Sequence, residues 1–132
     1  MFAIAAASCT PPKPPQLDTR AGLDCVDDSP TCVRRRVRTL ETLKRSRDRR
    51  WVHEAASPRA YASGVRLFAL QARQRELTCP ELKVARAEAE RAPRVLARGR
   101  DLTPAQISRG KILAGEVARG LRKEWARRCG RR

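Results

Sequence analysis

The sequence predicts an all-α fold: a small antiparallel four-helix bundle stapled by disulfides, preceded by a Pro-rich N-terminal tether. Three observations carry this. Four times a serine or threonine stands before a proline at the opening of an apolar-periodic segment, at Ser29-Pro30, Ser57-Pro58, Thr78-Cys79-Pro80 and Thr103-Pro104. Apolar residues then recur at helical spacing, with no strand-like alternation anywhere in the chain. Four cysteines, Cys25, Cys32, Cys79 and Cys129, fall within or beside these segments.

The helix starts follow from simple chemistry. A hydroxyl at the N-cap accepts a hydrogen bond from a free amide of the first turn, and proline in that turn loses nothing, because its missing N–H would be unpaired anyway. Two of the starts add a capping-box partner three residues on, Glu81 after Thr78 and Gln106 after Thr103. The predicted helices are 30–53, 58–76, 80–98 and 104–128. Their apolar stripes are Val33, Val37, Leu40 and Leu43; Tyr61, Val65, Phe68 and Ala72; Leu82, Ala85, Ala89 and Leu96; and Ile107, Leu113, Val117 and Leu121. Pro93 should kink or end the third helix near Ala92, because it removes an intrahelical donor and crowds the preceding turn. Short connections between amphipathic helices imply up-down-up-down packing.

The first residues read differently. The small apolar run that ends in Ala6, Ala7, Ser8 and Cys9 has the composition of a signal region meeting its cleavage site. Its spacing resembles a bacterial lipoprotein signal, in which Cys9 becomes the lipidated first residue of the mature protein. Only eight residues precede Cys9, so either residues 1–9 are a truncated signal whose start lies upstream, or the match is accidental and Cys9 is a chance cysteine in a disordered cytoplasmic N-terminus. Residues 10–24 form a Pro-rich spacer, and residues 25–132 the helical domain. After Cys9 no apolar run approaches the about 18 residues of a transmembrane helix.

An even set of four cysteines in a short exported chain points to two disulfides. Free thiols and a zinc site are the alternatives, although the six residues between Cys25 and Cys32 do not match a close Cys-x-x-Cys pair. In an up-down-up-down bundle all four cysteines gather at one end. Bridges between helices are then favoured, Cys25 or Cys32 with Cys129 and Cys79 with the remaining one, each adding roughly 3 to 4 kcal/mol. A Cys25–Cys32 bridge would staple only a loop to its own helix.

Thirty Lys plus Arg against 14 Asp plus Glu give a formal net charge of +16, so partners that carry phosphate come first to mind. The arginines are spread over every helix, however, and no zinc finger, RRM or helix-turn-helix signature accompanies them. Arginine, alanine, glycine and proline also share GC-rich codons, which gives the composition a second origin. Nucleic acid is therefore not the expected partner, and a cytosolic basic helical protein binding nucleic acid stands as the alternative reading.

No catalytic set is apparent. His53 is the one histidine, and its neighbour Glu54 faces another direction on a helix, so the two make no dyad. Gly-rich phosphate loops, Ser–His–Asp sets and His-rich metal sites are lacking, so the expectation is no enzyme, no metal and no cofactor. Aromatic residues are few. Trp51 and Tyr61 are candidates for an exposed partner-binding corner, with core packing as the other reading, and Trp125 for contact with a lipid surface.

The stretches "DCVDDSPTC", "ASPRAYASGVRLFALQARQRELTCPEL" and "LTPAQISRGKILAGEVAR" together resemble a group of small alphaproteobacterial lipoproteins labelled β-(1,3),(1,6)-glucan biosynthesis proteins. The resemblance covers roughly residues 24 to 129. It implies a pathway and not a reaction, since its motifs carry no known catalytic residues. The high arginine content departs from the group and bears on any shared binding surface. The expected protein is a non-catalytic periplasmic accessory module, membrane-anchored through Cys9, with an unidentified protein partner.

Overall fold

The computed structural model describes residues 22–130; the signal-like segment, Cys9 and most of the tether lie outside them. Among the described residues the fold is all-α. Its helices are α1 (Pro30–Arg45), α2 (Pro58–Ser63), α3 (Val65–Arg73), α4 (Cys79–Ala97) and α5 (Pro104–Arg128), with a 3₁₀ turn at Arg50–His53. All four predicted N-caps act as such: Ser29, Ser57, Thr78 and Thr103 each accept a first-turn N–H. Both capping boxes, Thr78 with Glu81 and Thr103 with Gln106, are closed in both directions.

Two of the four predicted helices differ from the sequence reading. The first helix stops at Arg45 and not at residue 53. A continued helix would set Val52 eighteen residues, or five full turns, after Arg34, on the same outward ridge. Breaking at Ser46 instead lets Trp51 and Val52 turn inward, to 6% and 1% exposure. Burial of two such side chains is worth about 1.5 to 3 kcal/mol each, more than the helical turns given up. Local polar groups mark the break: Ser46 is extended, and Asp48 accepts the Arg50 N–H.

The second predicted helix is divided at Gly64, whose φ of 77° lies in the left-handed region that glycine alone enters freely. The third, Cys79–Ala97, keeps the predicted range to within one residue and runs through Pro93 without ending at Ala92. Ala89, Ala92 and Leu96 are fully packed along that helix, and their burial outweighs the one backbone bond that Pro93 cannot make.

The core is aliphatic, built from Leu43, Leu67, Leu70, Leu77, Leu82, Leu96, Val117 and Leu121 with the alanines of α4 and α5. The helix α4 runs antiparallel to α5: Cys79 at its start is bridged to Cys129 just beyond α5, while Leu96 near its end lies against Gly110 near the start of α5. A Cβ on Gly110 would stand 2.8 Å from Leu96 Cδ1, so the bare glycine permits the close approach. Leu113 lies beside Gly64, and Arg128 reaches the carbonyls of Gln74 and Leu77, so α3 runs in the direction of α5.

The first helix does not alternate with the second. Arg36 and Asp28 share a cleft with Gly64 and Phe68, while Leu43 and Ser46 at the other end meet Arg73. So α1 and α3 run in the same direction, and residues 46–57 travel back between them. This follows from the early end of α1: the residues freed from the helix supply the return. Two stripe residues of α1, Val33 and Val37, consequently remain 40% and 56% exposed, and Phe68 of α3 is also exposed. Leu23, read as tether from the sequence, packs against the core.

The direction of α1 also relocates the cysteines. The bridges are Cys25–Cys32 and Cys79–Cys129, with Cα atoms 5.6 and 5.8 Å apart. They replace the inter-helix pairing of Cys25 or Cys32 with Cys129, and they lie at opposite ends of the molecule. Val26, inside the first bridge, accepts a bond from Gln106 at the start of α5, whereas the second bridge closes beyond the end of α5. Cys79–Cys129 spans 50 residues and Cys25–Cys32 only seven. Loop-closure entropy then gives about 4 and about 2 kcal/mol. Urea unfolding should accordingly show Cys79→Ala/Cys129→Ala losing about 4 kcal/mol and Cys25→Ala/Cys32→Ala about 2 kcal/mol; equal losses would contradict the assigned loops.

Candidate functional site

The most deeply buried ion pair among the described residues joins Arg66 to Glu88, and each partner stands inside an apolar stripe. Arg66 lies on α3 among Val65, Ala69 and Leu70, at 2% exposure. Glu88 lies on α4 among Ala85, Ala89 and Ala92, also buried. The Arg66 guanidinium donates through Nε and Nη2 to the two carboxylate oxygens of Glu88, the second bond at 3.0 Å. The same Nη2 reaches the carbonyls of Val52 and Glu54 on the returning segment. Its plane lies over the Trp51 ring, 5.8 Å from guanidinium carbon to ring centroid. Tyr61 completes the cluster, donating its hydroxyl to Glu88 at 3.1 Å.

Two further arginines repeat the arrangement at helix ends. Arg73, seven residues after Arg66 on the same face, donates to the carbonyls of Leu43 and Ser46 and so closes the C-terminus of α1. Its Nε pairs with Glu76 at 2.8 Å. Arg128, near the end of α5, donates to the carbonyls of Gln74 and Leu77 after α3 and pairs with the buried Glu124. Carbonyls at helix ends have no intrahelical partner, and a guanidinium with five donors supplies several at once.

Arginine hydrogen bonds lower the pKa of three carboxyls, Glu124, Glu81 and Asp48. The Arg127 hydrogen bond lowers the Glu124 pKa, assisted by Arg128 and opposed by burial. Burial pushes Glu81 upward, but the Thr78 backbone, Arg49 and the Thr78 side chain together bring it below its ordinary value. At Asp48 the bond from Arg50 brings the carboxyl down to about 2. Tyr61 moves the other way: burial first, then the Glu88 charge and hydrogen bond, push its hydroxyl up to about 12.

The Cys25–Cys32 bridge is tied down by a fourth arginine. Arg36 donates to the carbonyls of Cys25 and Asp27, at 3.3 and 2.6 Å, and approaches Cys32 Sγ at 3.1 Å. Beside this loop lies a cleft of about 250 Å³ floored by Tyr61, Gly64, Phe68 and Leu113, with Arg36 and Arg109 at its rim. A second cleft, about 530 Å³, is lined by Leu23, Asp24, Glu54, Ser57 and Ala60, with Arg66 at its base.

Of the sequence-predicted site residues, the four cysteines are brought together in two pairs, and Cys9 lies outside the described residues. Trp51 and Tyr61 do not form an exposed corner: both are buried against the Arg66–Glu88 pair, Trp51 from the 3₁₀ turn after α1 and Tyr61 from α2. Trp125 is partly buried and packs against the core. His53 is exposed at the end of the 3₁₀ turn. No group of three or more metal-ligating side chains converges among the described residues, and no helix there is long and apolar enough to cross a membrane. Comparison with protein-family models, with curated proteins and with solved structures returns no match. The geometry defines a class, a small all-α domain closed by two disulfides and internally clamped by arginine. The disulfides call for an oxidising compartment.

The sequence reading missed Arg66, Arg73, Glu88 and Glu124. The signal was present: Glu88 stands three residues after Ala85 and four before Ala92, a charge inside an apolar stripe. The raised Tyr61 pKa gives a pH test. A group whose folded pKa exceeds its unfolded value of about 10 stabilises the fold below pH 10, and that stabilisation is lost as pH rises through the folded value. Urea unfolding between pH 10 and 12 should therefore show wild type losing stability that Tyr61→Phe does not lose; parallel pH profiles would contradict the Tyr61–Glu88 contact.

Proposed function

We propose that this chain is a non-catalytic exported lipoprotein: an anchor at Cys9, a Pro-rich spacer, and the disulfide-closed helical domain as an accessory or interaction module at the membrane. The two disulfides are the single observation that carries the reading. Bridges of this kind persist in the periplasm or outside the cell and are rare in a reducing cytosol. The sequence of residues 6–15 supports the anchor, as a small-residue run, a cysteine and then prolines. The resemblance to the glucan biosynthesis lipoproteins supports a place in periplasmic β-glucan synthesis. In this reading the buried ion pairs have a structural role, holding helix ends and the return segment. The α1, α2–α3, α4 and α5 segments act as one four-membered bundle that presents its surface to a protein partner.

Thiol trapping in the native cell tests this. Alkylation without reduction should leave Cys25, Cys32, Cys79 and Cys129 unmodified and modify all four after reduction, while a fatty-acid label should be incorporated and be lost in Cys9→Ala. Four freely alkylated thiols would remove the exported reading and favour the cytosolic alternative.

A further inference from the structure

Helix α1 carries two adjacent ridges that the described residues leave uncovered over Val33–Arg38, while Leu40 further along packs against the core. Residues spaced by four, three and four lie above one another on a helix, so Val33, Val37, Leu40 and Lys44 form one ridge and Arg34, Arg38, Glu41 and Arg45 the next. Val33 and Val37 are the exposed apolar residues of the first, and Arg34 and Arg38 are exposed on the second. Arg34 and Arg38 form no ion pair among the described residues; Glu41 is taken by Lys44 and Arg45. The opposite side of α1, with Cys32 and Leu43, is buried in the body of the protein.

We infer that this outward face of α1 is a docking surface for an anionic lipid bilayer. The pairing of a short apolar ridge with a guanidinium ridge suits a surface that is apolar within and phosphate-bearing at its edge: the valines enter the headgroup boundary while the arginines hold phosphates beside them. A second copy of the chain would bring Arg34 and Arg38 against like charges as the valines met. Nucleic acid would satisfy the arginines and leave the valines in water. The break after Arg45 serves this surface too, because α1 ends before the inward-turning Trp51 and Val52. The choice of lipid over nucleic acid rests partly on the exported reading above; the geometry of the face does not.

Co-sedimentation of the oxidised Cys9→Ala protein, which can carry no acyl anchor, tests the assignment with vesicles of phosphatidylcholine alone and of phosphatidylcholine with roughly one part in three phosphatidylglycerol. Binding to the mixed vesicles should fall roughly 30-fold in Arg34→Gln/Arg38→Gln, two charges each worth about a factor of five. Val33→Ser/Val37→Ser should fall about tenfold on vesicles and leave binding to duplex DNA unchanged. A charge-matched control on α4, Lys83→Gln/Arg94→Gln, should change vesicle binding by less than about threefold. Circular dichroism and intact bridges confirm that each variant is folded.

Equal losses in the two charge variants would overturn the inference, since net charge alone would then govern binding. So would vesicle binding indifferent to the valines, with duplex DNA binding as sensitive to Arg34 and Arg38 as vesicle binding; that result assigns the face to nucleic acid. Reactive thiols in the native cell together with the expected vesicle results would remove the exported reading and leave the α1 face standing. Closed bridges with α1-insensitive binding would do the reverse.

Discussion

A guanidinium buried to 2% exposure must be neutralised where it sits, and the contact between Arg66 and Glu88 does this between α3 and α4. Removing one partner of such a pair commonly costs about 3 to 5 kcal/mol, because the other is left charged in an apolar surround. The rest of the molecule is arranged around meeting that demand. Glu88 also takes the Tyr61 hydroxyl, and Arg66 Nη2 also reaches the carbonyls of Val52 and Glu54. The segment between α1 and α2 is therefore fastened to the core by the same group that ties α3 to α4. Its route back along the body sets α1 parallel to α3 and sends the two disulfides to opposite ends.

The arginine-rich composition acquires a second meaning in this light. Arg66, Arg73 and Arg128 each reach across to main-chain carbonyls that a helix end or an irregular turn leaves without partners. Arg36 does the same for the small disulfide loop. Lysine could not replace them, since its ammonium is a compact, strongly hydrated charge, whereas the guanidinium offers donors in several directions. Part of the positive charge is thus internal scaffolding. Other arginines, among them Arg34 and Arg38, make no ion pair among the described residues and give α1 its basic outer face.

Much of the fold was legible in the sequence because it is written in local rules. Ser29, Ser57, Thr78 and Thr103 each cap a helix, and Glu81 and Gln106 close the boxes. What escaped is non-local. The helical pattern continues past Arg45 by propensity, and only the chance to bury Trp51 and Val52 ends it, which no window of neighbouring residues contains. The helix continues past Pro93 for a similar reason, the packing of Ala92 and Leu96. One helix end displaced by eight residues, from 53 to 45, was enough to reverse α1 and thereby to mispair the cysteines on paper. For the candidate sites, all four cysteines could be read as bridge formers from their number and setting, while Glu88 and Arg66 could be found only by asking why a charge sits within an apolar stripe.

The direction of α1 is the point on which this account turns, and the cysteine connectivity reports it directly. Proteolysis of the oxidised protein under non-reducing conditions, followed by mass spectrometry of the linked peptides, should recover Cys25 joined to Cys32 and Cys79 joined to Cys129. A peptide linking Cys129 to Cys25 or to Cys32 would place all four cysteines at one end, and the return of residues 46–57 described here would be wrong.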